Sequence, residues 1–199
     1  MSATATVDPV TAPLAEAAAG MAARLARVTV EVRPRGAREG RGGLGGAVGA
    51  GVVWHPDGLV LTNAHVARGE VLVVLSDGRP RPARLVARDP RRDLAALVID
   101  GHDLPTAEIG DSSALRVGEL LLAVGNPYGL VRALSAGLVH AAGDRFIQAD
   151  LRLAPGNSGG PLADARGRVV GLNAMVVGGL AVAVPSNVAR RFVGEQLRT

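Results

Sequence analysis

Three short stretches carry residue types that can do nucleophilic chemistry together. Pro155-Gly156-Asn157-Ser158-Gly159-Gly160-Pro161 sets a serine among glycines. Thr62-Asn63-Ala64-His65-Val66 offers a histidine, and Arg92-Asp93-Leu94-Ala95-Ala96-Leu97 offers a carboxylate. A serine hydroxyl is a poor nucleophile near neutral pH. It needs a base within hydrogen-bond reach, itself oriented by a third group. Imidazole suits the base because it titrates near the working pH. A carboxylate beside it fixes the tautomer and stabilises the imidazolium that forms. Glycines around the serine let main-chain N–H groups converge on one point, as an oxyanion hole requires. The candidate roles are Ser158 as nucleophile, His65 as base and then acid, and Asp93 as the group that orients His65. The N–H groups of Gly156 and Ser158 are the candidate oxyanion donors. Asp89 rivals Asp93, but it lies between Arg88 and Pro90 and reads as a solvated turn residue. Asp93 instead leads into the apolar run Leu94 to Ile99. His55, His102 and His140 have no comparable context.

Gly156-Asn157-Ser158-Gly159-Gly160 also fits the Gly-x-Ser-x-Gly nucleophile elbow. The chain order His65, Asp93, Ser158 is not the Ser-Asp-His order of that fold, and no long amphipathic helices alternate with strands around it. The elements that must position the three groups are short strands. Val28-Thr29-Val30-Glu31-Val32 alternates, and further strands are expected at about 51–54, 58–62, 71–75, 83–88 and 94–99. After a linker at about 100–110, a second set is expected at about 119–125, 133–141, 145–149, 161–163, 168–175 and 180–184. Residues 1–13 read as disordered, about 14–26 as a short helix, and Gly36 to Gly51 as a flexible loop. Ser186 after Pro185 is a candidate N-cap for a terminal helix with Ala189, Phe192, Val193 and Leu197 on one face. The glycine runs at Gly42–Gly46 and Gly178-Gly179 lack the Gly-Lys-Ser/Thr of a phosphate loop.

From about Val28 to about Val193 the chain resembles the protease domain of the HtrA/Deg family of trypsin-like serine endopeptidases. Besides the three motifs, the resemblance rests on Gly51-Val52-Val53-Trp54, Asp57-Gly58-Leu59-Val60-Leu61, Ile109-Gly110-Asp111-Ser112-Ser113-Ala114-Leu115, Ala123-Val124-Gly125-Asn126-Pro127-Tyr128-Gly129 and Ala183-Val184-Pro185-Ser186-Asn187. It implies an all-β fold of two six-stranded antiparallel barrels of the chymotrypsin type with short terminal helices. The expected division is 1–26 for the start and first helix, 27–106 for the first barrel, and 107–199 for the second barrel and last helix. The resemblance further implies that Leu153 and Met175 line the pocket for the residue before the cleaved bond. Both are apolar, so small or medium aliphatic residues are expected there. Main chain around Asn173 to Met175 is expected to pair with an extended, unfolded substrate. Ala174 stands where relatives carry Thr or Ser, whose hydroxyl would bond the triad carboxylate. That departure leaves room for a latent protease fold acting as a peptide-binding or chaperone-like module. Relatives often form trimers and continue into PDZ domains; a homotrimer is a candidate state, and no PDZ pattern is legible here.

Composition narrows the rest. The chain has 199 residues and no cysteine, so neither a disulfide framework nor a thiolate metal site is available. The four histidines show no metal spacing, and no metal or cofactor is expected. All 22 basic residues are arginine, against 18 acidic ones. With aromatics at 2%, stacking on bases is poorly served, and a nucleic-acid partner is not expected. No membrane-spanning stretch and no signal peptide are legible, which gives a cytoplasmic expectation.

Overall fold

The computed structural model describes residues 12–36, 49–126 and 133–196. A helix, α1 (Ala12–Val28), leads into β1 (Thr29–Pro34), β2 (Gly49–His55), β3 (Leu59–Thr62), β4 (Val71–Val74), β5 (Pro80–Asp89) and β6 (Leu94–Ile99). These strands close into one antiparallel barrel in the order β1-β2-β3-β6-β5-β4. A connection with a single 3₁₀ turn at Ser112–Ala114 follows. Then come β7 (Leu120–Gly125), β8 (Ala133–Ala142), β9 (Ile147–Asp150), β10 (Pro161–Asp164), β11 (Val169–Val177), β12 (Leu180–Pro185) and a last helix, α2 (Ser186–Gln196). The second barrel closes in the order β10-β11-β12-β9-β8-β7. Two six-stranded antiparallel barrels with a helix at either end are the architecture expected from the sequence.

The strand patterns follow from what covers each face. β6 reads as a continuous apolar run because both its faces are buried. Ala95, Leu97 and Ile99 point into the first barrel core. Leu94 and Ala96 join Leu61 and, from the second barrel, Leu172, Ala174 and Val184 beneath Val188, Ala189 and Phe192 of α2. α2 therefore seals the seam between the barrels. Phe192 is fully buried, a contribution of about 1.5–3 kcal/mol. α1 performs the equivalent task outside the second barrel, where Leu25 and Met21 cover Leu122, Val124 and Val169.

Some expectations need correction. The first helix runs from Ala12, not 14, because Pro13 sits in its first turn, where a missing N–H costs nothing. Of the expected disordered start, residues 1–11 lie outside the described residues. Of the expected Gly36–Gly51 loop, 37–48 lie outside them, and Gly49–Gly51 belong to β2. β5 extends back to Pro80 because its first residues pair only with β4, so prolines break no second ladder. Ser186 does not cap α2. Its hydroxyl donates to the Gly110 carbonyl at 2.8 Å, and the Asn187 N–H is accepted by Ser112 Oγ at 3.2 Å. The cap comes from the inter-barrel connection. Leu197 lies outside the described residues; Ala189 and Phe192 are buried as expected.

Candidate active site

His65 follows β3 on a tight turn, with the N–H groups of Val66 and Ala67 both donating to the Asn63 carbonyl. Asp93 closes the β5–β6 turn with φ +53°, a left-handed conformation that aspartate tolerates better than most residues. Asp89 shapes that turn: its Oδ1 accepts the N–H groups of Arg91 at 2.9 Å and Arg92 at 3.1 Å. The two turns meet. His65 Nδ1 lies 2.8 Å from Asp93 Oδ2 and 3.1 Å from Oδ1, and Oδ1 also accepts the His65 backbone N–H at 3.1 Å. A carboxylate on Nδ1 assigns the proton to that nitrogen and leaves the Nε2 lone pair available. Two clamps secure the pair from behind. Asn63 Nδ2 donates to the Asp93 carbonyl at 3.0 Å. Arg88 donates to the Ala64 carbonyl through Nε at 3.2 Å and Nη2 at 3.0 Å.

Ser158 stands on a loop that local sequence shapes strongly. Ala154-Pro155-Gly156-Asn157 forms a turn closed by Asn157 N–H to the Ala154 carbonyl at 3.0 Å. Proline second and a glycine at φ +107° third define type II. The Asn126 N–H holds the Gly156 carbonyl at 3.0 Å. Beyond the serine, the Ser158 carbonyl accepts the Ala50 N–H at 2.8 Å, docking the loop on β2 of the first barrel. Gly159, at φ +86°, lies against the Ala50 carbonyl and Thr62 Oγ1 with no room for a Cβ. The Val66 side chain and the Ser158 carbonyl both pack on Gly49, so the serine loop and the histidine turn share one wall. The Ser158 hydroxyl donates to the Ala174 carbonyl at 2.9 Å. Among the described residues, the N–H groups of Gly156 and Ser158 have no hydrogen-bond acceptor.

The expected substrate-binding residues are less well gathered. Leu153 packs half-buried against the second barrel core, while Met175 is 46% exposed on β11. Asn173 is corrected. Its N–H donates to the Gly160 carbonyl at 2.9 Å, and its carbonyl accepts the Gly159 N–H at 2.7 Å. Its side-chain amide donates to the Pro161 carbonyl at 3.0 Å. Both main-chain groups of Asn173 are thus engaged inside the fold. A bulge between Asn173 and Met175 makes Ala174 the extra residue. Gly178 and Gly179, at φ +59° and +85°, form the two-residue turn between Val177 and Leu180. Residues flanking such a turn exchange both hydrogen bonds, and the pattern alternates from there. Val177 and Met175 therefore bond to β12, while the N–H and carbonyl of Val176 face the open edge. Counting back from Gly178-Gly179 was the signal that would have found Val176.

No cluster of three His, Cys, Asp or Glu side chains able to hold a metal occurs among the described residues. No described helix is long and apolar enough to cross a membrane.

Residues 49–172 match the family model described as the trypsin-like peptidase domain. A probable periplasmic serine endoprotease, DegP-like, of Pseudomonas savastanoi pv. phaseolicola (strain 1448A / Race 6) is 44% identical over 174 residues, 79% of this chain and 36% of that protein. Its counterpart in Halomonas elongata (strain ATCC 33173 / DSM 2581 / NBRC 15536 / NCIMB 2198 / 1H9) is 40% identical over 168 residues, 76% of this chain and 35% of that protein. The solved structure of the HtrA-type protease AlgW with tripeptide superposes with a TM-score of 0.80 at 32% identity, covering 89% of this chain and 62% of that one. The chain thus spans about a third of the length of these curated relatives. Their names overturn the cytoplasmic expectation: each is called a probable periplasmic serine endoprotease, which points to that compartment. The expectation had rested on the first residues of the sequence, which do not decide the matter. With the barrels, the order of the three motifs and these relatives in agreement, the chain belongs to the trypsin-like peptidase family, among the HtrA/Deg-type serine endoproteases.

Proposed function

We propose that this chain hydrolyses peptide bonds in extended polypeptides, with Ser158 as nucleophile, His65 as general base and acid, and Asp93 as the group that orients His65. The observation that carries the reading is the His65 Nδ1 to Asp93 Oδ2 contact of 2.8 Å beside a serine loop docked on the same wall. In the resting geometry the hydroxyl lies on the Ala174 carbonyl. For reaction Oγ must leave that carbonyl for His65 Nε2, a bond that free enzymes commonly complete only with substrate present. His65 then takes the hydroxyl proton as Oγ attacks the scissile carbonyl carbon. The carbonyl oxygen becomes an oxyanion, held by the N–H groups of Gly156 and Ser158. Each such donor is worth about 2.7–4 kcal/mol in the transition state. His65 returns the proton to the departing amine, and water releases the acyl group by the reverse sequence.

The substrate is an extended, unfolded chain that adds a strand to the β11 edge at Ala174–Val176. Leu153 and Met175 supply apolar contacts, which favour aliphatic residues before the cleaved bond. The test is cleavage of an unfolded protein by the purified chain beside its Ser158→Ala variant. Cleavage by the parent alone supports the reading. Cleavage by neither, with retained binding of extended peptides, replaces it with a peptide-binding module.

A further inference from the structure

Helix α2 grips the chain on both sides of Asp93. Leu94, the residue after it, is fully buried in the cluster it shares with Phe192 of α2. Arg92, the residue before it, sends Nη1 to Glu195 Oε2 of α2 at 2.6 Å. Phe192 and Glu195 are three residues apart, so they project from the same side of the helix. Arg92 is also tied within its own turn: its N–H reaches Asp89 Oδ1 at 3.1 Å, and its Nε lies 3.4 Å from Asp89 Oδ2. The other end of α2 is fixed to the inter-barrel connection. Asn187 Nδ2 donates to Asp111 Oδ1 at 2.6 Å, and Arg190 Nη2 to the Ile109 carbonyl at 2.6 Å. α2 follows directly from β12, in the barrel that carries Ser158, and crosses to the turn that carries Asp93.

The Arg92 and Glu195 side chains are 36% and 48% exposed, and ion pairs at such sites add little to stability. The geometry gives this one a different use. Asp93 holds a left-handed backbone, at φ +53°, while its carboxylate meets His65 Nδ1. We propose that Arg92 and Glu195 are positioning residues, whose contact lets α2 hold the Asp93 turn and so aim its carboxylate at His65. This inference rests on the assignment of His65, Asp93 and Ser158 above.

The two side chains carry opposite charge, and that makes the test decisive. If they act on the His65–Asp93 pair only as charges, removing one must have the opposite effect of removing the other. If they act by position, both removals change it in the same direction. The measurements are the low-field NMR signal of the His65 Nδ1 proton, together with kcat and KM, for Arg92→Ala, Glu195→Ala, the double variant and Glu195→Gln. Both alanine variants should broaden or shift the signal in the same direction and lower kcat about threefold to tenfold with KM unchanged. The double variant should be no worse than the poorer single one. Glu195→Gln, which keeps an oxygen for Arg92, should recover most of what Glu195→Ala loses. A signal unmoved in both alanine variants, or moved in opposite directions, overturns the proposal whatever happens to the melting temperature. The signal can also be read in Ser158→Ala protein, so a chain that cleaves nothing defeats the proposed function and still leaves this inference testable.

Discussion

The Ser158 hydroxyl donates to the Ala174 carbonyl at 2.9 Å, and no hydrogen bond among the described residues joins it to His65. Ser158→Ala thus removes one hydrogen bond from the resting protein, worth about 0.5–1.5 kcal/mol. In the proposed mechanism it also removes the nucleophile. The expected result is a melting temperature close to the parent's and a fall in kcat of about 10⁴-fold or more. Calorimetry and a peptide-cleavage assay on the same preparation check both halves. Appreciable cleavage by the variant would show that another group attacks.

Gly156→Ala tests the proposed oxyanion loop separately from the proposed nucleophile. The φ of +107° is one that an alanine adopts only under strain, of order 1–3 kcal/mol. The Pro155-Gly156 turn relieves that strain by leaving type II geometry, which swings the Gly156 N–H away from the developing oxyanion. The expected loss is about 10²–10³-fold in kcat with KM little altered. A rise in KM at constant kcat would place Gly156 in ground-state binding instead.

Asp111, which anchors α2 through Asn187, gives a pH test. Hydrogen bonds from the Ser113 hydroxyl, then Asn187, then the Ser113 N–H lower the Asp111 pKa from 3.8 to about 2. A depressed carboxylate pKa stabilises the fold at pH values above its unfolded value. That contribution is lost as pH falls from about 4 towards 2. Asp77 and Glu119 are lowered as well, by the Arg79 backbone N–H and the Arg116 side chain respectively. Urea midpoints between pH 4 and 2 should therefore fall more steeply for the parent than for Asp111→Asn. Equal slopes would remove Asp111 from the acid response.

Much of this architecture is legible in the sequence because the signals are local. Ser158 among glycines, His65 after a strand and Asp93 before an apolar run each announce a role within a few residues. The continuous run Leu94 to Ile99 marks a strand covered on both faces. What stayed hidden depends on partners far along the chain. Ser112, 74 positions before Ser186, supplies the α2 cap, so an N-cap rule applied to Ser186 alone picks the wrong hydroxyl. Arg92 and Glu195 meet across 103 residues, and neither has a sequence context that names the other. The family resemblance implies that the Asn173 main chain pairs with a substrate, and no strand pattern in the sequence reveals the bulge beside it. Only the ladder shows that Gly159 and Gly160 already hold its main chain.

Beside the bulge at Ala174, a pair of proline substitutions reads which main-chain groups face a bound peptide. Val176 and Met175 are adjacent and similarly exposed, at 49% and 46%. Their N–H groups point in opposite directions. The Met175 N–H faces Val182 of β12, and proline there deletes a ladder bond and clashes with the pairing. The Val176 N–H faces the open edge, where proline is tolerated within a sheet. Met175→Pro should lower the melting temperature, whereas Val176→Pro should leave it nearly unchanged. If an extended substrate adds to this edge, Val176→Pro should raise KM for a peptide spanning the edge about tenfold, the effect of losing one hydrogen bond of about 1.4 kcal/mol. A tripped fold in Val176→Pro would mean the register is shifted by one residue. An intact fold with unchanged KM would mean that the peptide binds elsewhere.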